Sequence, residues 1–300
     1  MLESRQRIVP ALLTLLCLSI PFAVIAQDED DSKSIKAERF IQNRPADTTS
    51  RSTAKYRRVT KSPSAGVSTV QAKDMGLAQI GVTIWRFRPS QTADKTKELV
   101  EVEGRQTEWT LERVEEGTPL SPGQLVRLSI ESLSRSGYLY VIDREEYGDG
   151  TLGDPVLIFP TQKSAAANYV KAGRLIYIPS ANSKFMVKPS DNPKGHIGEV
   201  LTFIVSQTPL IRADELGEKR TPLARAQVDD WQTRWTATAS KFELDGGVGQ
   251  AMTEIEQSAA REETALLTQN DPAPQTVFEL AIKPSNPLWI TVPLRFAKRN

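Results

Sequence analysis

The chain has 300 residues, of which 39% are hydrophobic and 25% charged, an ordinary globular composition with enough length for one large or two small packed domains. Its formal net charge of +1 gives no electrostatic reason for general nucleic-acid or membrane-surface binding. A single cysteine, Cys17, excludes a disulfide framework, so stability has to come from burial and hydrogen bonding.

The first residues, "MLESRQRIVPALLTLLCLSIPFAVIAQ", combine Arg5 and Arg7 with an apolar run and a Val24-Ile25-Ala26 small-residue pattern before an acidic "DEDD". They predict a signal peptide over residues 1–26, cleaved after Ala26, and hence an exported protein in the periplasm or outside the cell. The alternative is an uncleaved N-terminal anchor facing outside the cytoplasm, because the apolar run nearly reaches the ~20 residues of a membrane span. Cys17 follows Leu16 rather than a small residue, which speaks against lipid attachment. Removing Arg5, Arg7 and Glu3 with the leader leaves equal numbers of basic and acidic residues, and no transmembrane span is expected in the mature chain.

Residues 27–79 are polar, without a sustained apolar period, and predict a disordered linker. Within it "SIKAERFIQNRP" has the makings of a short helix stopped by Pro45, and "RSTAKYRRVTK" carries basic residues without an acid. At Ile80 the character changes. "IGVTIWRF" alternates Ile80, Val82 and Ile84 on one face with Trp85 and Phe87 on the other, which predicts a first strand. "EWTLERV", "QLVRLSIES", "GYLYVID", "VLIFP", "RLIYIP", "KFMVK" and "EVLTFIVS" follow as strands bounded by turn residues. A helical insertion is expected over about 222–267, with Trp231, Trp235 and Phe242 on one buried helix face. Terminal strands "TVFELAIK" and "LWITVPLRF" fill about 276–295. The fold class expected is mainly β: an antiparallel β-sandwich over 80–300, immunoglobulin-like or related, with one or two C-terminal helices packed on it.

The run "SGYLYVIDREEYGDGTLGDPVLIFPT", followed by "AGRLIYIP" and "GEVLTFIVS", resembles a bacterial exported family catalogued as domain of unknown function 4384. The resemblance covers about residues 78–210. It implies a β-rich accessory domain found beside varied partners, and supplies no activity and no catalytic residues.

Against a calcium-loop template, Asp143, Glu145, Tyr147, Asp149, Thr151 and Asp154 fall at ligand positions one, three, five, seven, nine and twelve, with Gly148 at the turn glycine. Tyr at position five, the short Asp at twelve and the strand-like flanks depart from the template, and Asp149-Gly150 is itself a hairpin signal. The stretch is therefore read as a turn and no metal is assigned, with Asp143, Glu145, Asp149 and Asp154 as the calcium candidates and Glu145, Glu146, Tyr147, Asp149 and Asp154 as a possible interaction loop within an exposed "REEYGDGTLGDP" connection. His196 is the only histidine and reads as a loop residue before a strand, with nothing in the sequence to place carboxylates beside it. Tyr138, Tyr140, Tyr169 and Tyr177 have the side chains for a sugar-stacking surface, but as strand tyrosines they read as cross-strand partners.

No nucleophile elbow and no phosphate loop occur in the chain, so no catalytic residue and no cofactor are assigned. The expectation is a non-enzymatic protein-interaction or accessory domain of the cell envelope, binding an envelope protein. A calcium- or glycan-binding module built on the acidic loop is the alternative, and an unrecognised hydrolase the third possibility.

Overall fold

A computed structural model describes residues 34–46, 52–59, 75–102, 104–180, 183–261 and 265–298. The expected leader, residues 1–26, lies outside the described residues. In chain order the elements are β1 (Ser34–Lys36), α1 (Glu38–Ile41), β2 (Lys55–Arg58), β3 (Gly76–Pro89), β4 (Glu98–Val102), β5 (Arg105–Val114), β6 (Leu125–Ser132), β7 (Gly137–Tyr147) and β8 (Val156–Phe159). They continue with β9 (Tyr169–Val170), β10 (Ile176–Ile178), β11 (Phe185–Met186), β12 (His196–Ser206), β13 (Thr221–Pro222), α2 (Arg225–Trp235), β14 (Ala239–Leu244), α3 (Glu254–Arg261), β15 (Thr276–Ile282) and β16 (Leu288–Arg295).

The strands form two antiparallel sheets stacked as a β-sandwich. The larger, ten-stranded sheet runs β1-β2-β14-β15-β3, with β5 and β4 continuing along the far end of β3 and β6 on its other side carrying β10 and β11. The smaller, six-stranded sheet runs β13-β8-β7-β12-β16, with β9 beside β7. Between them lies one core, to which β3 gives Ile80, Val82 and Ile84, β6 gives Val126, Leu128 and Ile130, and β12 gives Leu201, Phe203 and Val205. The period-two alternation dictates this, because every second side chain of a strand faces the same layer. The other face of β3 carries Trp85 and Phe87 into a separate cluster with Met252, Ala259 and Leu267, so the large sheet is covered on its outside too. On the outside of the small sheet, Tyr140, Ile142, Ile204 and Trp289 pack under Val228 and Trp231 of α2.

Three expectations change. The segment taken as a disordered linker is partly inside the domain: β2 pairs with β14, and Phe40, Ile41 and Tyr56 are buried with Phe242. Its apolar residues are too few and too widely spaced to reveal a core by themselves, and they gain one only by meeting a distant strand. Within the basic run, Arg57 pairs with Glu115 and Arg58 donates to the Ser240 hydroxyl. Second, Phe242 does not share a helix with Trp231 and Trp235; α2 stops at Trp235 and Phe242 sits on β14. After the helix, "TATASKFEL" returns to a period of two, which sets Phe242 and Leu244 on one face and pairs β14 with β15. Trp231 is buried and stacks on Trp235, whose ring centroid is 5.4 Å away. Third, the helical stretch expected up to Leu267 shrinks to α3, and Leu267 reaches the outer cluster from a non-helical segment.

Charged side chains hold the outer layer to the large sheet. Arg44 donates through Nε and Nη2 to the two carboxylate oxygens of Glu131 on β6, at 2.9 and 2.6 Å. Its Nη1 donates to the carbonyls of Thr268, Asp271 and Pro272. Both side chains are 1% exposed. Arg44→Ala is expected to cost about 3–5 kcal/mol in a urea-unfolding measurement, because it strands a buried carboxylate. Arg44→Met combined with Glu131→Gln should recover most of that loss, since the amide still accepts from Gly173 N–H, now at 2.7 Å, while no charge is left buried.

Candidate functional site

The inner face of the small sheet changes character along its length. On β7, Leu139 and Val141 belong to the inter-sheet core, and the next residues in the same phase are Asp143 and Glu145. On β12, Phe203 and Leu201 are followed in the same way by Glu199. The ladder sets Leu201 opposite Asp143 and Glu199 opposite Glu145. Three acids thus point between the sheets at one end of the sandwich.

Two of them meet a cavity of about 160 Å³. Its walls are apolar: Val126 from the large sheet, Ile158 from β8, Leu201 from β12, and Leu294 and Phe296 from the last strand and the residue after it. Phe185, Met186 and Val187 close one side, and Met186 is 59% exposed at the mouth, with Lys188 beside it. Asp143 and Glu199 are the acids that line it.

Among the described residues, no N–H, amide or hydroxyl donates to Asp143 Oδ1 or Glu199 Oε2, although both atoms are buried. The two carboxyls instead interact with each other, and one of them keeps its proton. Burial raises the Glu199 carboxyl first, with the Asp143 charge and the hydrogen bond adding to it. Asp143 is also raised by burial; accepting from Glu199 offsets this in part, the Glu145 charge pushes it up further and Arg220 pulls it down. The pair titrates as a unit, with the shared proton on Glu199.

His196, the first residue of β12, supports the pair. Its side chain is 1% exposed. Nδ1 accepts from the Ser190 backbone N–H at 2.8 Å, which leaves the proton on Nε2, within 2.9 Å of the Gly198 carbonyl and 3.1 Å of Glu199 Oε1. The ring packs edge-on against Phe296, its centroid 4.9 Å away. Glu145 accepts from the Tyr147 hydroxyl at 2.7 Å and the Ser190 hydroxyl at 3.2 Å. The sequence offered no way to place carboxylates near His196; the β7–β12 register does so.

The other acids of the sequence motif go elsewhere. The strands ending near Asp143 and restarting at Val156 do pair antiparallel, with Asp143 opposite Val156. Yet β7 runs on to Tyr147, so Glu145, Glu146 and Tyr147 are strand residues and the connection is only Gly148 to Pro155. Glu146 points to the opposite face and pairs with Arg295. Asp149 accepts from Thr151 N and Oγ1 at 2.9 and 2.6 Å, and Gly150 takes φ 79°, as the Asp-Gly turn signal predicts. Asp154 pairs with Arg225 at 2.7 Å. Asp143 and Glu145 are thus drawn into the sandwich end while Asp149 and Asp154 stay outside with their own partners. Among the described residues no group of three or more His, Cys, Asp or Glu is arranged to hold a metal ion.

The tyrosines behave as strand partners. Tyr138 and Tyr169 sit opposite each other across β7 and β9 with ring centroids 5.2 Å apart, and Tyr140 and Tyr177 are buried. The acids at the cavity had a sequence signal that went unused: Asp143, Glu145 and Glu199 lie in phase with core positions of their strands, where a charge is unexpected without a purpose.

No family model, curated protein or solved structure matches this chain.

The shared proton makes a stability prediction. Both carboxyls are raised in the folded state, so the fold gains nothing from their ionisation. This contribution is fully present below about pH 3, where both are protonated folded or unfolded, and is lost as pH climbs towards about 9. Glu145, His196 and Arg220 face the same pair and remain in the variant. Glu199→Gln should therefore flatten the fall of the thermal midpoint between about pH 5 and 9 relative to the parent protein; an equal fall in both would show that the pair does not hold the proton.

Proposed function

We propose that this chain is an exported, non-catalytic accessory domain of the cell envelope that binds a partner protein through the cleft at the acidic end of its sandwich. The observation that carries the reading is the cleft itself: an apolar-walled cavity of about 160 Å³ lined by two half-buried carboxyls, each with one buried oxygen that lacks a donor, and with the exposed Met186 at its lip. Concave apolar sites with a few convergent polar groups are where ligands are held. Export rests on the basic and apolar start of the chain. Among the described residues no helix is long and apolar enough to cross a membrane.

The non-catalytic reading is supported by how the polar groups are engaged. Asp143 and Glu199 act on each other as one interacting pair, so neither stands as an independent general acid or base. The Nδ1 lone pair of His196 is taken by a backbone N–H and its Nε2 proton by Gly198 and Glu199, which leaves no nitrogen to activate a nucleophile. The calcium and glycan alternatives have no comparable observation in their favour.

The test is the cavity-filling variant Ile158→Trp, placed at a half-buried position of the wall, together with Met186→Trp at the lip. Affinity capture from envelope extract with the parent protein should retain a specific protein that both variants lose, while their circular dichroism stays that of the parent. A partner retained equally by both variants would move the binding surface away from the cleft and overturn the reading.

A further inference from the structure

The cleft has a shape and a charge that together select its occupant. Its volume, about 160 Å³, is close to the roughly 150 Å³ of an apolar cavity that takes a benzene-sized guest, which is room for a chain of four or five carbons and little more. Val126, Ile158, Leu201, Leu294 and Phe296 present carbon to such a chain. At the polar end, Asp143 and Glu199 share one proton, so the pair carries a negative charge in a place where water has little access. Glu145 adds a second negative charge nearby, while Arg220 acts on Asp143 from outside the lining and Lys188 stands beside Met186 at the mouth.

A neutral alkyl group would fill the walls and leave Asp143 Oδ1 and Glu199 Oε2 without a donor. A carboxylate or phosphate would be repelled by it. An ammonium at the end of an alkyl stem matches both parts, because its three N–H donors can serve Asp143 Oδ1 and Glu199 Oε2 once the proton between the carboxyls is gone. Arginine carries a broader planar head on a shorter stem and needs its five donors satisfied in one plane, which this cavity does not provide.

Resting on the proposed role of the cleft, we infer that the group it holds is a lysine side chain presented by the partner polypeptide, with its ammonium on the Asp143–Glu199 pair and its methylenes against the apolar walls. Met186, exposed at the mouth, meets the backbone that carries the lysine. A proton balance follows. The empty pair keeps one proton, the occupied pair keeps none, and seating one ammonium therefore sends up to one proton to bulk solvent.

Calorimetric titration at about pH 7 tests this with four probes: n-pentylammonium, n-pentanol, and the acetylated and amidated tripeptides Gly-Lys-Gly and Gly-norleucine-Gly. The expected result is that the ammonium and the lysine peptide bind at least tenfold more tightly than their uncharged counterparts. Repeating the titration in buffers of different ionisation enthalpy should show proton release. Asp143→Asn with Glu199→Gln should abolish both the preference and the release, while thermal unfolding confirms that the variant is folded. Equal binding of charged and neutral probes would overturn the ammonium inference and leave the cleft reading standing. Binding of n-pentylammonium without the lysine peptide would overturn the polypeptide source. No binding of any probe, in a protein whose captured partner is still lost on Ile158→Trp, would overturn the lysine inference alone; no binding with no such loss would overturn both.

Discussion

Glu131 stands in the middle of the large sheet, on the face turned away from the sandwich core, with a side chain that is 1% exposed. A carboxylate there is tolerable only if every lone pair is met, and the chain meets them with Arg44 from one end of the sequence and the Gly173 N–H from the middle. Arg44 in turn spends its remaining donors on the carbonyls of residues 268–272. One ion pair thus ties an N-terminal segment, a central strand and a late connection into one layer. The same device recurs on that face: Arg113 is held by Glu256 and the Ala273 carbonyl, and Arg127 by both oxygens of Glu98 at 2.9 and 3.0 Å. Each arginine also lies over an aromatic ring, Arg113 over Trp85 and Arg127 over Phe87 and Tyr177. The outer layer is specified by charge as much as by apolar contact, since a shifted packing would leave a guanidinium or carboxylate buried without its partner.

The inter-sheet space works by the opposite rule over most of its length and then abandons it. Apolar side chains alternate inward along β3, β6, β12 and β16 and join one core cluster in the middle of the sandwich. At one end the same alternation delivers Asp143, Glu145 and Glu199. Sheet geometry leaves them no choice of face, so the molecule accommodates them by sharing a proton, by the Nε2–H of His196 and by the hydroxyls of Tyr147 and Ser190. Local departures from the apolar pattern are where a fold spends stability on something other than folding, and this is the part of the molecule from which its proposed role was argued.

The strands that carry the core were legible because each reports its own periodicity. Ile80, Val82 and Ile84 face the core while Trp85 and Phe87 face outward, as the alternation in "IGVTIWRF" implies, and the Asp149-Gly150 turn needs only the backbone freedom of its own residues. The helix over 225–235 was legible for the same reason. The pairing partners were not. Phe242 joins β14 because β15 and β2 lie on either side of it, and Phe40, Ile41 and Tyr56 are core because β14 is there to receive them. A segment with few apolar residues reads as linker until a distant surface makes those few sufficient.

The acidic stretch divides along the same line. By itself the sequence determined that Asp149 and Gly150 make a turn, since this follows from the backbone freedom of adjacent residues; that β7 runs on through Glu145, so that Asp143 and Glu145 share a strand face, was decided by its pairing with β12. Only the tertiary structure decided that Asp143 meets Glu199, that His196 stands behind Glu199, and that Asp154 leaves for Arg225. Those contacts depend on the β7–β12 register and on the placement of α2, which are set by how two whole sheets pack, and no residue in the stretch carries that information.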